Sequence, residues 1–216
     1  MPRADVPPTR ACAAILAAAA AFAPSQHARA DADVYRFDPV HSQVWFTTDH
    51  QGFSRPIGRL RVGGGWFRFD PGDWSRAELD VVVDLASVDL GDAKWNDTVK
   101  SAQFLDVARW PRARYVGRGA EAKDATHAIL HGELDFRGRK LPLDLAIELN
   151  RLGTDPYAFR HKAGFGATAT LSRAAFGMTR YKDVVADAVT IHVQVEGVRD
   201  RGADRRPDGV EDHAEE

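Results

Sequence analysis

The residues in this chain best equipped for chemistry are histidines, and their spacing decides what they can do. Six of the eight fall between residues 41 and 192: His41, His50, His127, His131, His161 and His192. His127 and His131 are four apart, which on a helix could chelate a metal ion. On a strand the same pair shares a face but is separated by about 13 Å at roughly 3.3 Å per residue, too far for one ion. No His-Glu-x-x-His motif is present. His41 and His50 flank an alternating segment, and either could act as a general base with Asp89 or Asp106. Capping or hydrogen bonding is the plainer role for these groups. Asp38 precedes a proline, and Asp89 and Asp106 sit near turn-like sequence, where a carboxylate bonds backbone N–H groups.

Nucleophiles are scarcer. The one cysteine, Cys12, lies in the first thirty residues, so the remaining chain has no thiol for catalysis, disulfides or cysteine-held metal. There is no Gly-x-Ser-x-Gly elbow. Gly63-Gly64-Gly65 is not followed by Lys-Ser/Thr, and no helix is expected after it, so a bend in a strand accounts for it better than a phosphate cradle. The expectation is a protein with no catalytic residues, no metal and no cofactor.

The elements that would position a site are strands. Leu79, Val81, Val83 and Leu85 alternate with Asp80, Val82 and Asp84; Leu141, Leu143, Leu145, Ile147 and Leu149 alternate with more polar neighbours; Val189, Ile191, Val193 and Val195 do the same. A period of two puts one apolar and one wet face on each strand. Weaker alternation marks 34–38, 42–49, 57–69, 112–118, 127–137 and 161–173. Asp70-Pro71-Gly72-Asp73, Arg137-Gly138-Arg139 and Gly153-Thr154-Asp155-Pro156 supply turns, and such short links make neighbours antiparallel. The stretch 92–105 lacks alternation; Trp95, Val99 and Ala102 fall on one helical face, which predicts a short helix lying on the sheet or lidding one end. Residues 50–56 read as irregular. The predicted fold is all-β: an antiparallel barrel closed by about eight strands, with a β-sandwich as the alternative.

The ends frame this domain. Arg3 and Arg10, the apolar run Ala11 to Ala23, and Ala28-Arg29-Ala30 form the three parts of an export signal, predicting a leader at 1–30, cleavage near Ala30 and a periplasmic or secreted product. Removing the leader moves the formal charge from −2 to −4 and leaves 186 residues, with the domain expected over 31–199 and a disordered charged tail over 200–216. A mildly acidic chain lacks the basic footprint of a nucleic-acid binder, and no later segment is long and apolar enough to anchor in a membrane as a helix. Self-association as a homodimer is left open.

The ordered motifs carry a resemblance. Asp38-Pro39-Val40-His41-Ser42-Gln43-Val44-Trp45-Phe46, His50-Gln51-Gly52-Phe53-Ser54 with Gly58, Ala86-Ser87-Val88-Asp89, and Ser101-Ala102-Gln103-Phe104-Leu105-Asp106 with Pro111 resemble the YceI-like family. So do Gly132, Leu134 and Arg137-Gly138 before Pro142, Gly164-Phe165, and Arg173-Ala174-Ala175-Phe176-Gly177-Met178. The resemblance implies a lipocalin-like exported barrel that binds a long isoprenoid or fatty-acyl chain in an apolar tunnel, without metal or catalytic residues. One place departs from the pattern: many members carry an Arg-Asp-x-His-Leu run where this chain has Trp95-Asn96-Asp97-Thr98-Val99. If that segment lines the mouth, the head-group preference differs, and a quinone is in doubt. Alternation and the resemblance together nominate Phe46, Phe53, Val81, Val83, Phe104, Leu143, Leu145, Phe165 and Val193 to line or close the tunnel, with His41 and His50 at its mouth. A solid core made of the same aromatic residues, and a lipid-modifying enzyme, are the rival readings.

Overall fold

The computed structural model describes residues 32–200 and 202. The leader read at 1–30 and the tail, apart from Asp200 and Gly202, lie outside the described residues. Asp200 itself is still tied to the domain: its N–H donates to the Val34 carbonyl at 2.8 Å, and its carboxylate pairs with Arg36 at 2.6 Å.

Every alternating run becomes a strand, because each offers one apolar face that only a common interior can bury. In chain order they are β1 (Asp33–Phe37), β2 (Gln43–His50), β3 (Ile57–Phe69), β4 (Glu78–Asp89), β5 (Arg112–Ala122), β6 (His127–Phe136), β7 (Arg139–Pro142), β8 (Leu145–Thr154), β9 (His161–Ser172) and β10 (Val185–Arg199). One helix, α1 (Ala93–Lys100), lies between β4 and β5. All pairings are antiparallel, and the strands β2, β3, β4, β5, β6, β8, β9 and β10 close into a ring because β10 pairs with both β9 and β2. One continuous ring is a barrel of eight staves; a sandwich would leave two separate sheets.

Two staves are interrupted. β1 continues the line of β2, pairing with the same neighbours β10 and β3, and residues 38–42 step out of the wall between them. The single strand expected over 140–149 divides into β7 and β8, which keep one register along β6. β7 pairs with β6 alone. The segment after β9 covers the gap this leaves: Arg139 Nη1 donates to the Ala175 carbonyl at 2.6 Å, and Phe176 packs on Phe136 with ring centroids 5.2 Å apart.

The glycine run makes a β-bulge in β3, where the register against β4 shifts between Val62 and Gly64. Gly65 has φ +136, and a Cβ there would stand 2.2 Å from the Asp80 carbonyl oxygen, so only glycine lets the two strands approach while the wall curls. The helix is shorter than the sequence suggests. Asp92 caps it, accepting from the Trp95 N–H at 3.0 Å, but the Ser101 N–H and hydroxyl both bond the Thr98 carbonyl at 3.2 and 2.7 Å. That local alternative ends the i→i−4 ladder, and residues 101–109 continue as turns.

Antiparallel order sorts the connections into two ends. The β2–β3 turn, α1 with its flanks, the β6–β7 turn and the β9–β10 connection share one end; the β3–β4, β5–β6 and β8–β9 connections share the other. The second end is a floor. Tyr35 stacks on Phe67 at 5.0 Å, Phe69 meets Trp74 edge-on at 4.9 Å and Phe165 at 5.0 Å, and Tyr35, Phe67, Phe69 and Trp74 are all buried. Such edge-to-face pairs add about 0.5–1.5 kcal/mol each beyond burial. Burial, with the charge of Asp33 nearby, pushes the Tyr35 hydroxyl up to about 12, so the floor stays uncharged.

Candidate functional site

Above this floor the barrel is hollow. A cavity of about 450 Å³ runs up its interior, within the roughly 300–1,000 Å³ of small-molecule sites. Its wall is the inward set of the alternating strands. β4 contributes Leu79, Val81, Val83 and Leu85; β8 contributes Leu145 and Ile147; β10 contributes Val189, Ile191, Val193 and Val195. A one-residue slip of any strand would turn its polar partners inward, so the period-two pattern is what makes this lining apolar.

Tyr115 and the three charged side chains on the wall are engaged. Tyr115 reaches over Gly132, where a Cβ would lie 2.3 Å from its oxygen, and donates to the Leu143 carbonyl at 2.9 Å. Burial raises its pKa, which keeps it a neutral donor. The charged side chains on the wall are Arg68, Glu78 and Arg173. Arg68 and Glu78 pair with each other at 2.9 Å. Arg173 is 3% exposed and spends its whole guanidinium on backbone carbonyls. Nε donates to Ala186 at 2.9 Å, Nη1 to Met178 and Arg180 at 2.5 and 2.8 Å, and Nη2 to Tyr181 and Val185 at 3.4 and 2.7 Å. Burial lowers its pKa, while the charge of Asp187 opposes that shift. The arginine therefore holds the β9–β10 connection in shape and leaves no donor for a bound anion.

The mouth lies at the helix end. Trp95 and Tyr181 both line the cavity while remaining 42% and 48% exposed. Tyr181 stacks on Phe104 with centroids 5.9 Å apart and planes 6° apart, and Trp95 leans over His50 at 6.4 Å. Arg137 secures the Phe104 segment from below, donating to the carbonyls of Phe104 and Ala102. Thr98 and Val99 complete this rim, so the segment that departs from the family pattern does face the opening.

Most nominated residues stand on the cavity wall: Phe46, Val81, Val83, Phe104, Leu143, Leu145, Phe165, Val193 and His50. Two do not. Phe53 is 87% exposed at the tip of the β2–β3 turn, where the Asp49 carboxylate accepts the Gly52 N–H at 2.7 Å and turns the chain outward before Phe53 can reach the interior. His41 sits on the outward step between β1 and β2, where its Nδ1 bonds Asp38 at 2.8 Å. That bond raises the His41 pKa and lowers that of Asp38. Sequence reasoning placed the Trp95–Val99 segment at the mouth only conditionally and missed Tyr181, Tyr115 and Arg173 as wall residues.

The polar constellation that catalysis would need is dispersed. Asp89 accepts from the Gly91 N–H and the Asn96 amide at 2.8 and 3.1 Å, outside the cavity lining. Asp106 lies in the turns after α1, with φ +53, and is likewise absent from the wall. His127 bonds Asp124 and His131 bonds Asp144, each at 3.0 Å on the surface. Ligand-type atoms of Asp38, His41 and Glu196 lie within 4.8 Å of one another, yet the Lys162 ammonium already stands 3.0 Å from Glu196.

A closed antiparallel barrel around an apolar cavity is lipocalin-like in fold. The YceI-like domain model matches residues 35–197, and the chain belongs to that family. It is 28% identical over 184 residues to a UPF0312 protein of Shewanella baltica (strain OS185), covering 85% of this chain and 95% of that one. A UPF0312 protein of Serratia proteamaculans is 30% identical over 159 residues, or 74% and 82% of the two chains. Among solved structures, Burkholderia cenocepacia BcnA superposes with TM-score 0.65 at 22% identity, covering 74% of this chain and 98% of that one. A polyisoprenoid binding domain from Saccharophagus degradans, implicated in plant cell wall breakdown, gives 0.57 at 14%, covering 77% and 98%. These likenesses show a shared fold. Among the described residues no helix is long and apolar enough to cross a membrane.

Proposed function

We propose that the protein is an exported, non-catalytic carrier that holds a long apolar chain, of isoprenoid or fatty-acyl type, inside the barrel. The observation that carries this reading is the 450 Å³ apolar cavity whose lining charges already serve the protein itself. Affinity would come from burial: each CH₂ moved from water into such a lining contributes about 0.8 kcal/mol. The polyisoprenoid-binding function named for the Saccharophagus degradans relative supports the same ligand class. Trp95, Thr98 and Val99 line the inner side of the mouth without a charge, inside the cations of the outer rim, which favours an uncharged ligand segment between them. A lipid-modifying enzyme would need titratable groups meeting in the cavity, and of the histidines and carboxylates considered, His50 alone lines it with Glu78, which is committed to Arg68.

The test is mass spectrometry of an organic extract of protein expressed from the full sequence and purified without detergent. A stoichiometric prenyl or acyl species is expected. An empty extract that stays empty after incubation with prenyl alcohols and fatty acids would overturn the proposal.

A further inference from the structure

We infer that the mouth end of the barrel docks on an anionic phospholipid surface, so that the apolar ligand passes between bilayer and cavity without crossing water. This rests on the carrier reading above and adds the partner. Four large apolar side chains stand exposed around the opening: Phe53 in the β2–β3 turn, Ile57 at the first position of β3, Trp95 on α1 and Tyr181 on the β9–β10 connection. Trp95 and Tyr181 also line the cavity, so the exposed apolar surface runs unbroken from the rim into the interior. Tryptophan and tyrosine suit the bilayer interface, with an apolar body for the acyl region and a polar edge for the head groups.

Charge selects the same partner. Each exposed aromatic of the mouth has a cation within two residues in sequence: Arg55 after Phe53, Lys94 before Trp95, and Arg180 and Lys182 around Tyr181. Over the rim segments 50–56, 93–100 and 179–184, Arg55, Lys94, Lys100, Arg180 and Lys182 face only Asp97 and Asp183. The flanking Asp49 and Asp92 keep their charge while they accept backbone N–H bonds, and with them counted the rim still holds one more cation than anions. At the opposite end the connections 70–77, 123–126 and 155–160 carry Arg76, Lys123 and Arg160 against Asp70, Asp73, Asp124 and Asp155. A chain with a formal charge of −2 thus carries surplus positive charge at the helix end, where its cavity opens. Basic residues next to inserted aromatics are what an anionic membrane surface attracts.

Phe53 and Ile57 do not line the cavity, which separates docking from ligand binding. The purified protein is floated with vesicles of phosphatidylethanolamine and phosphatidylglycerol, and with vesicles of phosphatidylcholine alone. Prenyl-alcohol affinity is measured separately in solution. The wild type is expected to float with the anionic vesicles. Phe53→Ser with Ile57→Ser should weaken flotation about tenfold or more, from the apolar area left in water, with prenyl-alcohol affinity unchanged. Arg55→Glu with Arg180→Glu should remove the preference for phosphatidylglycerol. Phe159→Ser, at the far end where Phe159 is 83% exposed, should change nothing.

Three results would each overturn the inference. They are no flotation of the wild type, equal loss with Phe159→Ser, and a rim-dependent dimer in sedimentation in place of vesicle binding. Rim-dependent flotation by a protein that takes up no prenyl alcohol would leave the docking standing and sink the carrier reading alone.

Discussion

Replacing Ala167 by leucine tests whether the cavity sets the length of chain the protein accepts. Ala167 lies on β9 opposite Ile147 of β8 and Val193 of β10, and all three line the cavity. Leucine adds three carbons at that point, in space the structure leaves empty. In the wild type, affinity for a series of primary alcohols should rise about fourfold per added CH₂, the equivalent of about 0.8 kcal/mol, until the cavity is full, and then level off. Three carbons of side chain displace about three methylenes of ligand. The variant should therefore level off about three carbons earlier and bind the longest alcohols weaker by roughly 2.4 kcal/mol, or about 60-fold. Short alcohols should bind both proteins alike. Isothermal titration across the series reads the plateau directly, and a melting curve of the ligand-free protein provides the control. Filling a void with leucine should hold or raise the melting temperature, whereas forcing it into packed side chains costs about 1–3 kcal/mol. An unshifted plateau together with a lowered melting temperature would refute the reasoning and put a filled core at this position.

Two further outcomes follow from groups outside the apolar wall. Arg173→Met removes the five carbonyl bonds of a buried guanidinium and should destabilise the protein by about 3 kcal/mol or more in urea denaturation, while Ala175→Ser, exposed on the same loop, should be near neutral. The His41–Asp38 bond raises the histidine pKa and lowers the aspartate's. Its contribution is full between the two ordinary values. It is lost as pH rises through the raised His41 pKa, and again as pH falls through the lowered Asp38 pKa. An NMR titration of the His41 ring should give a midpoint above the ordinary histidine value that returns toward it in Asp38→Asn; a midpoint indifferent to that substitution would deny the bond.

The strands were legible because alternation is a local signal with a single cause. A side chain two residues on returns to the same face, so Leu79, Val81, Val83 and Leu85 announce a buried face whatever they pack against. The glycine run 63–65 and the Arg137-Gly138 turn were readable for a similar reason: a bend and a tight turn are properties of the backbone at those residues. Phe46, Leu145 and Val193 fell on the wall because they belong to such faces.

What alternation could not reach was anything fixed by residues distant in sequence. Phe53 reads as one more apolar residue of the barrel, but the Asp49 cap turns its loop outward. His41 reads as a mouth residue beside a strand, but the step between β1 and β2 carries it to the outer wall. Trp95, Phe104 and Tyr181 come together only because the β4–β5 and β9–β10 connections emerge at one end of a closed ring. Whether the interior is hollow also lies beyond pattern, since the same aromatic residues fill a floor or line a void according to how many staves close the ring. The sequence by itself determined the faces, the bends and the family. Closure of the sheet decided the cavity, its floor and its mouth at the helix end, because those depend on which strands meet across long separations of chain.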